Sequence, residues 1–413
     1  MSKWIEGKLR DLVEVNPTVK LIKGEIYPFV SMDVIQPFYK PVEAKEEREF
    51  KSGGAKFENG DTLFARITPC LENGKIAQVK NLKNGKGFGS TEFIVLRGKE
   101  GITDTDFVYY LVTNKSFREN AERLMVGTSG RQRVDKQQFE DQIISIPDLE
   151  TQKRISSILG GIDKKIELNV EMNKTLEEMA MTLYKHWFVD FGPFQDGEFA
   201  ESELGVIPKG WKAKKLGDLY DTSSGGTPSR RKTEYYQDGT INWLKTKELN
   251  DNFIFETEEK ITELGLENSS AKVFPKNTVI IAMYGATVGK LGILSEPSST
   301  NQACCAVIEK NQSFSYVLAY LYLLFNRTKI VGLANGGAQQ NINQQIIRDL
   351  PIIVPTEKAL NIIQPKLLEL FELIRTNEQE NRYLINLRDY LLPRLLSGEI
   401  DVSQAEKQVE EVL

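Results

Sequence analysis

"GTSGRQRVDKQQFEDQIISIP" spans Gly127–Pro147, and 208 positions later the chain reads "NGGAQQNINQQIIRDLPIIVP", Asn335–Pro355. Each phrase has a small, Gly-bearing start, a Gln-rich polar stretch, an acid, an Ile-rich run and a closing Pro. Repeats of solenoid proteins recur every ~20–50 residues, so a period of this length points to two copies of a whole domain. Further echoes keep the same order. "GKLRDL" (Gly7–Leu12) returns as "KKLGDL" (Lys214–Leu219), and "FENGDTLFARI" (Phe57–Ile67) as "VFPKNTVIIAMYG" (Val273–Gly285). "ENGKIAQV" (Glu72–Val79) returns as "TVGKLGIL" (Thr287–Leu294), and "STEFIVLRG" (Ser90–Gly98) as "STNQACCAVIEK" (Ser299–Lys310). An aromatic and aliphatic helical run follows in each copy, Asp106–Leu124 and Ser315–Leu333.

A chain of 413 residues holds two or three domains at the usual ~100–200 residues each. No stretch approaches the ~18 apolar residues of a membrane span, and "MSKWIEGKLRDL" lacks the apolar core of a secretion signal. Three cysteines, two of them adjacent (Cys304, Cys305), make no disulfide framework, so a reduced, cytoplasmic setting without membrane contact is expected. The net charge of −5 is concentrated at the end, where residues 397–413 carry five acids and one base. The two large segments are electrically balanced, which leaves room for a basic face on each.

The short, β-branched, Gly/Asn-punctuated runs read as strands. Each copy is expected to be an α+β domain with a strand-rich core. Two long segments differ. In Thr151–Phe188, Ile155, Ile158, Leu159, Ile162 and Ile166 fall at helical spacing, as do Leu176, Met179, Ala180, Leu183 and Trp187, with Asp148 as N-cap. In Glu357–Leu396, Ile363, Leu367, Leu370, Phe371 and Ile374 share a face that Leu384, Leu387, Leu391 and Leu395 continue, and Pro365 marks either a kink or the true start. A helix of ~40 residues spans ~55–60 Å, and its apolar stripe needs cover. The expected arrangement is two strand-rich domains held apart by two antiparallel helices in a coiled coil, related by a pseudo-twofold axis. The expected boundaries are 1–150 for the first domain, 151–190 for the first helix, 191–213 for a linker, 214–356 for the second domain, 357–396 for the second helix and 397–413 for an acidic tail. Two like domains at a fixed separation suit duplex DNA, where half-sites recur every ~34–36 Å; they would also suit a non-catalytic coiled-coil adaptor between two protein partners.

"SGGTPSRRKTEYYQDGTINWLKTKEL" (Ser224–Leu249), "GVIPKGWKAKKLGDL" (Gly205–Leu219), "YGATVGKLGIL" (Tyr284–Leu294) and "IPDLETQKRISSILGGIDKKIELN" (Ile146–Asn169) resemble the specificity subunit of type I restriction–modification systems. The resemblance covers essentially the whole chain. It implies two target-recognition domains that each read half of a split sequence in double-stranded DNA. It also implies helices that act as spacer and as docking surface for two methyltransferase (modification) subunits, with restriction/translocase subunits joining in the full complex. Catalysis would lie on those partner chains. The first copy departs from the pattern: in place of "GGTP" it has "EVNPTVKLIKGEIYPFVSMDVIQ" (Glu14–Gln36), so its recognition loops cannot be mapped by motif.

No cofactor is expected. "GATVGKL" is one residue short of a phosphate-binding loop, with Leu291 where a metal-holding hydroxyl belongs. His186 is the only histidine, so no histidine cluster can form, and a packed or capping role is expected for it. Among DNA-contact candidates, residues shared by the copies cannot tell two half-sites apart; they serve as scaffold or as phosphate contacts. Lys75 and Lys290 are such a pair. Arg131, Gln132 and Arg133 echo as Gln339, Gln340 and Asn341, side chains suited to guanine or adenine edges. Arg66 and Tyr284 are further candidates for DNA contact. The basic run Arg230, Arg231 and Lys232, with Lys245 and Lys247 nearby, has no echo in the first copy and is the leading candidate for contacts peculiar to the second.

Overall fold

The computed structural model describes residues 4–128, 130–310, 314–333 and 341–410. Its contacts divide the chain into one unit of Met1–Leu168 with Asn381–Leu413 and a second of Asn169–Glu380, so each long helix contributes to both.

The first unit carries a five-stranded sheet in the spatial order Val13–Val15, Phe93–Gly98, Thr62–Ala65, Ile76–Val79, Pro41–Val42. Thr62–Ala65 and Ile76–Val79 are buried at every residue, as central strands covered on both faces must be. A four-stranded sheet follows the order Glu46–Glu49, Ile26–Val30, Lys86–Gly89, Ala55–Glu58. The second unit repeats both sheets. Its five strands run Tyr220–Ser224, Cys304–Glu309, Val279–Ala282, Leu291–Leu294, Asn252–Ile254, and its four run Lys260–Ile261, Ile241–Leu244, Ser298–Thr300, Val273–Phe274. Even the parallel pairs recur: Pro41–Val42 on Ile76–Val79 matches Asn252–Ile254 on Leu291–Leu294, and Ile26–Val30 on Lys86–Gly89 matches Ile241–Leu244 on Ser298–Thr300. The duplication read from scattered echoes therefore extends to segments with no sequence likeness.

The opening phrase has a structural job. In both copies it forms a single helical turn and then a strand, Lys136–Glu140 with Ile143–Pro147 and Gln344–Arg348 with Pro351–Val354. Asp135 caps the first turn by accepting the Gln138 N–H at 2.9 Å, and Asn343 caps the second by accepting the Ile346 N–H at 2.9 Å. The strand then pairs antiparallel with the start of its own copy, Trp4–Lys8 or Lys212–Lys215. Lys8–Asp141 at 3.0 Å and Lys215–Asp349 at 2.8 Å close the two junctions alike.

The first long helix is Leu149–Phe188, with Asp148 accepting the Thr151 N–H at 3.0 Å; the second is Glu357–Ser397. Pro365 neither starts nor ends the second helix, which begins eight residues earlier. In the first unit, Ile155, Ile158, Leu159, Ile162 and Ile166 share a core with Leu384, Leu391, Leu392 and Leu395, and Asp163 pairs with Arg388 at 2.8 Å. In the second unit, Asn169 donates to Glu380 at 2.6 Å and Asn377 to Asn173 at 2.8 Å. Partner numbers fall as helix numbers rise, so the segments pack antiparallel within each unit. The apolar stripe differs from the expected one after residue 176. Leu176, Ala180, Tyr184 and Phe188 are buried, whereas Met179 is exposed and Leu183 and Trp187 are only partly covered, because four-residue steps carry the stripe along the Tyr184 side. The acidic tail includes a helix, Val402–Glu410, whose Val402, Ala405 and Val409 enter the first unit's core while Glu406 pairs with Arg154. His186 is exposed, with its ring against Gly192.

Candidate nucleic-acid interface

Strand register, rather than sequence, shows which side chains correspond. Phe57 and Phe274 lie on matching edge strands, opposite Gly87 and Ser298. The next residues of those partner strands, Phe88 and Ser299, lie opposite Phe29 and Trp243. Phe29 therefore matches Trp243. After each central strand comes one 3-10 turn, Met32–Val34 or Thr246–Glu248, followed by a buried anchor, Ile35 or Leu249. On the opposite edge Phe29 faces Glu46, while the Trp243 N–H donates to the Glu259 carbonyl at 3.2 Å. Glu46 thus matches Glu259, Lys45 matches Glu258, and Asp33 matches Lys247.

The geometry over the central aromatics corrects one expectation. Arg230 has a counterpart in the first copy, Arg48, delivered by a different segment. The Arg230 guanidinium lies 4.9 Å from the Trp243 ring centre and 4.3 Å from that of Tyr236, and it pairs with Glu259 at 2.7 Å. The Arg48 guanidinium lies 3.8 Å over Phe29 and pairs with Glu46 at 2.7 Å. A cation on the central aromatic, tied to the same acid position, is common to both domains. Trp243 itself is core: it is 2% exposed, and its indole N–H donates to the Gly226 carbonyl at 2.9 Å.

The remaining candidates around this sheet are mostly paired. Lys245 reaches Glu259 at 2.9 Å and Glu258 at 3.6 Å, Lys247 binds Glu258, and Lys232 donates to the Tyr235 hydroxyl at 2.7 Å. The hydrogen bond from Lys247 holds the Glu258 carboxyl below the usual range, and that from Lys245 does the same for Glu259, so both acids are charged at neutral pH. Arg231 is exposed and has no ion-pair partner among the described residues. Five bases stand against the acids Glu234, Glu248, Glu258 and Glu259, so the cluster keeps only a slight positive excess for contact with phosphate.

A second group forms where the opening phrase crosses the strand ends. Ile67 bridges Arg133, and Tyr284 bridges Asn341. Val134 N–H donates to the Arg66 carbonyl at 2.8 Å, and Ile342 N–H to the Met283 carbonyl at 3.0 Å. Arg66, Arg131, Gln132 and Arg133 are thus brought together in one copy, Tyr284 and Asn341 in the other; Gln339 and Gln340 lie outside the described residues. Arg133 is engaged by Glu92, with contacts at 2.8 and 3.0 Å, while Arg131 and Tyr284 are exposed.

Lys75 and Lys290 point inward along the domain. Lys75 donates to the Met32 carbonyl at 2.8 Å, the first residue of the 3-10 turn. Lys290 reaches Asp251 at 3.2 Å, just past the matching turn, and Asp251 also binds Arg327. The preceding glycines explain the shared Gly-Lys: Gly74 and Gly289 have φ of +71° and +81°, and a Cβ at Gly74 would lie 2.5 Å from the Phe38 ring. Sequence reasoning missed Asp33, Lys45 and Glu46, which only ladder register reveals as partners of second-copy residues, and Arg48, which only its place over the Phe29 ring reveals.

Comparison with known proteins agrees with this architecture. The family model of the type I restriction modification DNA specificity domain matches residues 1–178 and again 208–385. The chain therefore belongs to that family, with two DNA-specificity domains in tandem. It is similar to the HindI specificity subunit of Haemophilus influenzae, 28% identical over 469 residues that cover 97% of this chain and 100% of that one. It is also similar to the MjaIX specificity subunit of Methanocaldococcus jannaschii, 27% identical over 418 residues covering 97% and 94%. A solved S subunit from M. genitalium shares the fold, with a TM-score of 0.55 at 15% identity over 95% of this chain and 96% of that one.

Proposed function

We propose that the chain is the DNA-reading, non-catalytic subunit of a type I restriction–modification complex. Each domain reads one half of a bipartite target in duplex DNA. The long helices set the spacing between the halves and present surfaces to two methyltransferase subunits, with restriction subunits joining the full assembly. The observation that carries this reading is the pairing of identical topology with different surface chemistry. Both four-stranded sheets hold an arginine over the central aromatic, yet the charges around it differ between copies. Two readers of one shared sequence would need no such difference. Free of its partners the subunit binds DNA weakly, because much of its positive charge is already spent on its own acids. The test is a map of methylated bases in the host with and without this gene. Loss of methylation at a split motif supports the proposal, and an identical map in the two strains overturns it.

A further inference from the structure

One pair of residues reverses its chemistry between the copies. Asp33 and Lys247 occupy the middle of the matching 3-10 turns, and both are exposed. The residues facing them across the sheet edge are reversed in step: Lys45 in the first copy, Glu258 in the second. In the second copy Lys247 and Glu258 form an ion pair. In the first, Asp33 bonds with Ser31, and the charges of Lys75 and Lys45 also favour its ionised form. The two turns occupy the same place but are held differently: the Lys75 ammonium donates to the Met32 carbonyl in the first, the Glu248 carboxylate accepts the Lys245 N–H at 3.0 Å in the second, and a buried Ile35 or Leu249 follows each.

We infer that this turn is a base-reading element in both domains, and that Asp33 and Lys247 are specificity-determining residues of opposite hydrogen-bonding polarity. The inference rests on the DNA-reading function proposed above. Two domains with one scaffold can distinguish two sequences only through exposed positions that match in space and differ in chemistry. Asp33 and Lys247 meet that condition in its strongest form. A carboxylate only accepts hydrogen bonds and an ammonium only donates them. In the major groove the first suits the amino group of cytosine or adenine, and the second suits the N7 and O6 acceptors of guanine. The half-site read by the first domain is therefore expected to present an amino group to the turn, and that of the second a guanine edge. Glu258 holds the Lys247 side chain, and Ser31 that of Asp33, until a base replaces them.

The experiment uses the full chain in its methyltransferase complex and compares wild type, Asp33→Asn, Lys247→Gln and the charge-reversed pair Asp33→Lys with Lys45→Glu. Methylation-site sequencing reads base preference across both half-sites. Asp33→Asn is expected to lower discrimination at one base pair of one half-site about tenfold, in line with the loss of one specific contact, and to leave the other half-site unchanged. Lys247→Gln does the same in the opposite half, and the reversed pair changes the preferred base in the first. The untouched half-site reports that each variant is folded and assembled. Unchanged preference in both halves, or a loss of affinity spread evenly over all sequences, overturns the inference. A wild-type complex that methylates no split motif would instead refute the proposed function itself.

Discussion

Replacing Arg388 with methionine removes one side of a buried ion pair and should destabilise the first unit strongly. The side chains of Arg388 and Asp163 are 8% and 4% exposed and lie 2.8 Å apart. Asp163 has one further donor, the Tyr110 hydroxyl at 2.7 Å, which in turn accepts from Lys40 at 3.3 Å. Arg388 also donates to the Phe38 carbonyl at 3.3 Å and to Asp389 at 3.0 Å. Without the guanidinium the carboxylate stays buried with a single hydrogen bond, a loss that costs about 3–5 kcal/mol. For a unit of this size each kcal/mol moves the melting midpoint by about 2–4 °C, so its midpoint should fall by about 6–20 °C. Calorimetry of the full chain measures the shift, and hydrogen exchange in peptides from Leu149–Leu168 assigns the transition. The double variant Asp163→Leu with Arg388→Met buries no charge and should regain most of the loss, since apolar replacement of a buried pair is often neutral. A shift below about 2 °C in the single variant, or a double variant less stable than the single, would refute the argument.

Arg231→Ala should lower the salt dependence of DNA binding by the assembled complex by about one counterion without changing stability, because Arg231 alone in its basic run has neither an ion pair nor a side-chain hydrogen bond among the described residues; an unchanged slope makes it a solvated loop residue. Burial pushes the Cys305 thiol up to about 12 and the Cys304 thiol higher still, so at pH 8 both carry almost no thiolate. A thiol reagent should therefore label only half-buried Cys70 in the native chain and all three cysteines in denaturant, and labelling of Cys70→Ser before unfolding would contradict this. Seven residues inserted between Leu168 and Asn169, matched by seven between Glu380 and Asn381 where Asn169 meets Glu380, add about 10.5 Å of helix with the apolar seam nearly in phase. The methylated motif should then prefer a gap about three base pairs longer, and an unchanged gap would show that the helices do not set it.

The sequence disclosed the duplication wherever side chains serve the scaffold. The cap positions Asp135 and Asn343 and the glycines Gly74 and Gly289 recur because each meets a backbone requirement that few residue types satisfy, and the junction lysines Lys8 and Lys215 because each pairs with an aspartate of the repeated phrase. The long helices were legible from their period, and the phase error at Met179 arose because a run with apolar residues on several sides leaves the stripe to be chosen by what packs on it. The central and outer strands Ile26–Val30, Glu46–Glu49, Ile241–Leu244 and Lys260–Ile261 of the four-stranded sheets left no trace in the alignment of echoes. Their correspondence lies in ladder register, which is a property of pairing and not of residue type. Arg48 and Arg230 make the point: a guanidinium over an aromatic face is defined by where the charge arrives. In one copy the edge strand brings it, in the other the loop that precedes the central strand.

That division explains how one scaffold can carry two readings. The contacts that hold each 3-10 turn run through backbone and buried anchors: the Lys75 ammonium on the Met32 carbonyl in the first, the Glu248 carboxylate on the Lys245 N–H in the second, and an isoleucine or leucine in the core. None of them depends on the residue at the turn's exposed centre. Exposed substitutions away from caps and cores usually change stability by less than about 0.5 kcal/mol. The centre can therefore change from aspartate to lysine, with its facing charge reversed in step, while the fold stays the same. Lys75, by contrast, acts on the first half-site only through the turn it holds. Lys75→Met should blur base preference across the first half-site, and Asp33→Asn at a single base pair within it.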